Sequence, residues 1–412
     1  MVEGVYMSDI NSVLEKYGQT HILNNVESLS DEQKDSFFAE IKDIDWHIFD
    51  ILNDREKESV RGKLEPLGAL EIPEIKSRHD EFYVAGIEAI KKSEVAAVLL
   101  AGGMGTRLGL DGPKGTCQVG INRSLFIFEQ LINNLLEVTN AADAYVPLYI
   151  MTSDKNDEAT RAFFAEHNYF GYPKEDIFFF KQAMAPAVDF NGKLLLEAPG
   201  KLATSPNGNG GWFSSMEKSG ALADAKKRGV KWFNCFAVDN VLQRIADPVF
   251  VGATILGGFD SAGKVVKKAD AYEKVGVLCL EDGRPSIVEY YEMGKDMAES
   301  MDANGELAYR FGVILNYLFS VDRLEEIAKD HMPLHIVEKK VPYIDENNNL
   351  ISPEEPNGYK FETLILDMVH KMDKCLSFEV EREREFAPIK NLHGVDSLDS
   401  ARELLKLNGV EL

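Results

Sequence analysis

From residue 95 onward, short and nearly continuous apolar runs alternate with stretches whose apolar positions recur at helical spacing, which predicts strands and helices in turn. Residues 95–101 (VAAVLLA) have the composition of a strand buried on both faces, and the run stops at Gly102 and Gly103. Residues 146–152, 177–180 and 232–238 read as further buried strands, the last ending on Asp239, and 157–167 as a helix with Phe163 and Phe164 on its buried side. This alternation predicts an α/β fold on a mainly parallel sheet flanked by helices. Residues 274–292 read as a hairpin with a turn at 281–285 containing Asp282 and Gly283. A turn at 345–349, a late strand at 375–380 and a last helix at ARELLKL follow. The first ninety residues differ in being helical and acidic. There Ser30 and Gln33 form a capping box, and Phe37, Ile41, Ile44 and Ile48 give one apolar helix face.

Composition narrows the function classes. A chain of 412 residues can bury a large core. No apolar run reaches the ~20 residues of a membrane helix, and no basic region followed by an apolar one opens the chain, so a cytoplasmic protein is expected. The four cysteines, Cys117, Cys235, Cys279 and Cys375, lie far apart with no CxxC pair, which disfavours a disulfide frame or zinc site. A net charge of −23 disfavours nucleic acid as a partner. It does not disfavour a nucleotide, because charge beyond a screening length of ~8 Å matters little inside a cleft.

A strand feeding a glycine loop is the pattern of a phosphate cradle, in which backbone N–H groups approach an anion and nearby cations neutralise it. Here AGGMGTRLG is followed by GPKG, which places Arg107 and Lys114 seven residues apart. Neither common nucleotide motif fits. No glycine stands before a lysine at the Walker spacing, and the third glycine of GxGxxG arrives one residue late, at Gly109, which disfavours an NAD-dependent oxidoreductase. His331 and His335 have the spacing of a helical metal pair, but Pro333 lies between them and no glutamate follows His331 as in HExxH. The charge run 381–385 reads as a solvated face.

Beyond the loop, FFFKQAMAPAVDFNGK (178–193), SPNGNGGWF (205–213), FAVDN (236–240), VGV (275–277), IVEYYEMG (287–294), KKVPYID (339–345), PNGYKFE (356–362) and EFAPIKN (385–391) occur in order. In these segments the sequence resembles the eukaryotic-type UDP-N-acetylglucosamine pyrophosphorylases, within the UDP-sugar pyrophosphorylases, over residues 90 to 391. The resemblance implies a Rossmann-like, GT-A-like nucleotidyltransferase. Its parts would be an N-terminal helical segment (1–90), a catalytic domain (91–390) and a short tail (391–412). With no hexapeptide repeats, an appended left-handed β-helix acetyltransferase domain is not expected.

The implied reaction joins UTP and a sugar 1-phosphate, releases pyrophosphate and uses Mg²⁺. Arg107, Lys114 and Lys390 map to the catalytic cations, and Asp239 to the metal ligand at the nucleotide. Leu100, Ala101, Gly102, Gly103, Gln182 and Gly208 map to the nucleotide site, with the Gln182 amide suited to the N3–H and O4 edge of uracil. Asn209, Gly276 and Glu289 map to the sugar. Asp239 alone also reads as a helix cap or turn former, and Glu289 as part of a solvated strand face. Two positions depart from the family pattern. AGNI reads FGVI, with Val313 in place of the sugar-contacting asparagine, and PDGNGG reads PNGNGG, with Asn207. The first departure opens glucose or galactose 1-phosphate as alternative substrates. A catalytically silent nucleotide-sugar binder is the rival of another class. It would be marked by loss of the aspartate or the loop cations, all of which are present.

Overall fold

The computed structural model describes residues 10–24, 26–54, 61–330 and 332–412. Two compact units divide the chain: Met1–Val60 with Ala183–Gly211 and Met332–Ile365, and Arg61–Gln182 with Trp212–His331 and Leu366–Leu412. His331 itself lies outside the described residues, while His335 opens the strand His335–Lys339.

The larger unit is built on a ten-stranded sheet. Its strands are β1 (Leu64–Pro66), β2 (Val95–Leu100), β3 (Leu148–Thr152), β4 (Ile177–Lys181), β5 (Trp232–Ala237), β6 (Ser261–Lys267), β7 (Val277–Glu281), β8 (Arg284–Val288), β9 (Phe311–Ser320) and β10 (Cys375–Glu379). The main path runs β1–β7–β9–β5–β2–β3–β4, with β8 beside β7 and the pair β6–β10 joined to β9. Strands β4, β3, β2 and β5 are parallel neighbours. The antiparallel strand β9 then separates them from β6 and β7. In direction, β2 to β7 and β10 run one way and β1, β8 and β9 the other, so the sheet is mixed and mainly parallel.

All six residues of β2 are buried, because helices cover both faces. On one face Ala97, Leu99, Ile150 and Phe236 share a core with Phe82, Leu131, Phe250 and Leu405, which come from helices His79–Lys91, Ile127–Ala142, Pro248–Leu256 and Leu398–Leu407. On the other, Trp212 of helix Trp212–Ser219 meets Phe233 edge-on at 5.7 Å between ring centres. The helix expected over 157–167 runs Asp157–Glu166 with Phe164 fully buried and Phe163 partly so. The hairpin turns at Asp282 (φ +50°) and Gly283 (φ +79°), the left-handed pair that a two-residue type I′ turn demands.

In the smaller unit the capping box forms as expected, Ser30 Oγ accepting from Gln33 N–H and Gln33 Oε1 from Ser30 N–H. Phe37, Ile41, Ile44 and Ile48 are all buried, packed with Leu194, Leu202 and Phe361. They do not lie on one helix, however. The helix Asp31–Lys42 ends and a second one, His47–Asp54, begins after Asp45, whose carboxylate accepts from the His47 N–H at 3.1 Å. A short acidic side chain offers the backbone this alternative to continuing the helix. The turn at 345–349 closes the strand pair Tyr343–Ile344 and Leu350–Ile351.

A second sequence expectation is overturned. The run 381–385 is not uniformly solvated: Glu385 turns inward and its Oε2 lies 2.5 Å from Lys264 Nζ, a lysine with no exposed surface. Among the described residues all four cysteines are unpaired and buried, and no helix is long and apolar enough to cross a membrane.

Candidate active site

Strand β2 continues its ladder by one bond, Ala101 N–H to Met151 O at 2.8 Å, before the chain leaves the sheet. The glycine loop then folds back on itself. Gly105 N–H donates to Gly112 O at 2.8 Å and Lys114 N–H to Gly103 O at 3.1 Å, so Lys114 returns beside the end of the strand it followed. Leu100 and Ala101 are buried, whereas a side chain added at Gly103 would meet nothing within 4 Å. The loop thus presents backbone to open space from a rigid base. Arg107 is exposed on a single helical turn, Thr106–Leu108.

Asn156 supplies that rigidity and was not singled out in the sequence. It is 1% exposed, and its amide nitrogen donates to Ala101 O at 2.9 Å and Gly103 O at 3.2 Å while its oxygen accepts from Ser153 N–H at 2.8 Å. Standing just before helix Asp157–Glu166, it reads locally as an N-cap, yet it makes no cap hydrogen bond. The distant loop uses its side chain instead.

At the carboxyl end of the neighbouring strand β5, Asp239 follows Val238, whose N–H still reaches Leu100 O. Open parallel sheets bind ligands in the crevice at this end. The Asp239 carboxylate lies 3.6 Å from Lys114 Nζ. The Asp239 carbonyl accepts from Ile389 N–H at 2.9 Å, which fixes the neighbouring Lys390 backbone beside it. The Lys390 ammonium pairs with Asp396 at 2.9 Å. Burial holds Lys114 below the ordinary lysine range; Asp239 opposes this, and the charges of Arg107 and Lys390 add to it. The three predicted cations and Asp239 therefore form one electrostatic group. In it, Lys114 is half-surrounded by charge, Asp239 on one side and the like charges of Arg107 and Lys390 beside it, an arrangement that favours binding a polyanion.

Gln182 continues from β4, its N–H donating to Thr152 O, and its side-chain oxygen lies so near Gly102 that a Cβ there would stand 3.1 Å from it. Gly102 thereby keeps the loop backbone and the amide side by side. Gly276 and Glu289 are brought together in the hairpin region. A Cβ on Gly276 would lie 3.5 Å from Glu289 Oε1, and the Gly276 carbonyl accepts from Val313 N–H at 2.8 Å. Burial, and then Glu292, push the Glu289 carboxyl up, against the opposing pull of Lys390 and Arg61. Glu289 thus shares a field with Lys390. Gly208 and Asn209 belong to the smaller unit. There Gly208 adopts φ +85° with a Cβ position 2.2 Å from Thr363 O, which only glycine tolerates, and Asn209 Oδ1 accepts from Ile365 N–H at 3.0 Å.

Residues 50–409 match the family model described as UTP–glucose-1-phosphate uridylyltransferase. The chain is 37% identical to the mouse UDP-N-acetylhexosamine pyrophosphorylase-like protein 1, over 93% of this chain and 80% of that one. It is 36% identical to the UDP-N-acetylglucosamine pyrophosphorylase of Saccharomyces cerevisiae, over 93% and 86%. It is also similar to the crystal structure of the Trypanosoma brucei uridine diphosphate N-acetylglucosamine pyrophosphorylase in complex with an inhibitor, with a TM-score of 0.83 and 28% identity over 97% of this chain and 84% of that one.

Proposed function

Because the chain belongs to the UTP–glucose-1-phosphate uridylyltransferase family, we propose that it makes UDP-N-acetylglucosamine and pyrophosphate from UTP and N-acetylglucosamine 1-phosphate. The observation that carries this reading is the gathering of Asp239, Arg107 and Lys390 about Lys114 at the ends of β2 and β5. In the reaction an oxygen of the sugar phosphate attacks the α-phosphorus of UTP and the bond to pyrophosphate breaks. Both reactants are anions, so positioning and charge neutralisation supply most of the acceleration. Lys114 serves the α-phosphate and Arg107 the leaving pyrophosphate. Lys390 takes up the charge that develops between them. Leu100, Ala101, Gly102, Gly103 and Gln182 hold the uridine, while Gly276 and Glu289 receive the sugar hydroxyls. All of these fall between residues 91 and 390, which we take as the catalytic domain.

Asp239 would hold the magnesium ion. Its carboxylate is a hard oxygen donor and partly exposed, and no group of three acidic, histidine or cysteine side chains able to hold a metal exists among the described residues. That donor set fits an ion carried mainly by substrate phosphates with a single protein carboxylate, the usual habit of Mg²⁺. When bound, the ion neutralises phosphate charge. Four unpaired cysteines suit the reducing cytosol.

For the sugar, the names of the similar proteins support the N-acetylated hexosamine. Val313, hydrogen-bonded through its backbone beside Gly276, favours the second reading, glucose or galactose 1-phosphate. The test is pyrophosphate release from UTP and Mg²⁺ with each of the three sugar phosphates. The expected result is preference for the N-acetylated sugar. Preference for another makes Val313 a specificity change, and no release with any leaves a nucleotide-sugar binder.

A further inference from the structure

Across β9 from β5 in the same sheet, Lys264 sits at the middle of β6 with no exposed surface. Its ammonium lies 2.5 Å from Glu385 Oε2 and 3.2 Å from Asp247 Oδ2, and donates to Arg244 O at 3.1 Å. It also stands 5.4 Å from the centre of the Phe250 ring. Glu385 and Asp247 are 6% and 2% exposed, and the Arg244 guanidinium reaches Asp247 at 3.9 Å. Desolvating such a cluster is costly, and well-packed apolar residues in its place are often as stable or more so. Stability alone therefore does not account for it.

What the cluster fixes is the start of the segment that ends in Lys390. The Glu385 carbonyl accepts from Asn240 Nδ2 at 2.7 Å, Asn240 Oδ1 accepts from Ala387 N–H at 2.9 Å, and Ile389 N–H donates to Asp239 O at 2.9 Å. Residues 385–389 are thus laced at three points to the two residues after Val238. Lys264 anchors one end of the lacing, and Lys390 emerges from the other beside Asp239.

We infer that Lys264, Glu385 and Asn240 are positioning residues which set Lys390 against Asp239 through the 385–389 backbone. This rests on the reading of Lys390 as the residue that takes up developing charge. Rate in such a site falls steeply with small displacements, so losing the anchor should act on turnover more than on nucleotide binding.

The test is a double-mutant cycle in the pyrophosphate-release assay with Glu385→Gln, Lys390→Ala and both together. Glu385→Gln keeps the shape of the side chain and removes its charge. Its kcat is expected to fall by about ten-fold or more with the KM for UTP nearly unchanged, and the double variant to be no slower than Lys390→Ala alone. A purely structural role would lower the melting temperature and the active fraction, and its loss would multiply with that of Lys390→Ala. Wild-type kcat in folded Glu385→Gln, or multiplicative losses, would overturn the inference while leaving the proposed reaction intact. Wild-type kcat in Lys390→Ala would remove the role of Lys390, and the inference with it. If Glu385→Gln does not fold, Asn240→Ala cuts the same lacing without leaving a buried charge unpaired and enters the same cycle with the same criteria.

Discussion

In the proposed nucleotide site, Lys114 and Asp239 make one ion pair that serves two states. Without substrate, the carboxylate is the main opposite charge that the ammonium meets, and burial together with Arg107 and Lys390 keeps the lysine below its ordinary range of about 10.4. A depressed lysine pKa means that the charged form is disfavoured in the empty enzyme, so the proton leaves at a lower pH than from a free lysine. Bound phosphate reverses the balance, because an anion within a few ångströms favours the cation. The alkaline limb of kcat/KM for UTP, which reports the free enzyme, should therefore fall at lower pH than the limb of kcat, which reports the complex. Coincident limbs would dissociate Lys114 from the nucleotide. The corresponding variant, Lys114→Ala, should raise the KM for UTP by about ten-fold or more while that for the sugar phosphate changes little, since a charge-assisted contact is worth about 1.5–3 kcal/mol.

At the scale of elements, the site depends on loops that long-range side chains hold in place. Replacing Asn156 by Ala deprives Ala101 O, Gly103 O and the buried Ser153 N–H of a partner at once. A loss of about 2 kcal/mol or more in a urea titration is expected, from the cost of burying unsatisfied groups. KM for UTP should rise with it, and an unchanged KM would mean that the loop holds its shape alone. Strand β2, the glycine loop and the Asp282–Gly283 turn were legible in the sequence because local composition dictates each of them. The roles of Asn156 and Asn240 were not, since an asparagine before a helix or after a strand reads as a cap or a turn, and the carbonyls to which the amide nitrogens donate lie 53 or more residues away. Glu385 was misread for a related reason. Within a run of alternating charges nothing local marks the one that a buried lysine has drawn inside.

For the molecule as a whole, the order of the sheet and the two units arise from contacts across the chain. Periodicity found the apolar positions Phe37 and Ile41, but only the folded chain brings Leu202 and Phe361 to them. Net charge was readable from the start and makes a prediction of its own. At −23 the protein repels anions at long range, while in the proposed site the group of Arg107, Lys114 and Lys390 attracts them at short range. These two fields screen differently. Raising ionic strength from 0.01 M to 0.15 M shortens the screening length from about 30 Å to about 8 Å, which removes the distant repulsion first and leaves contacts inside the partly buried group less affected. At constant free Mg²⁺, kcat/KM for UTP should hold steady or rise by roughly two-fold across that range, opposite to an enzyme whose whole surface steers its substrate. A steep fall instead would mean that the local cations govern the approach of UTP from well beyond the loop, and that the acidic surface lies too far from the entrance to be felt.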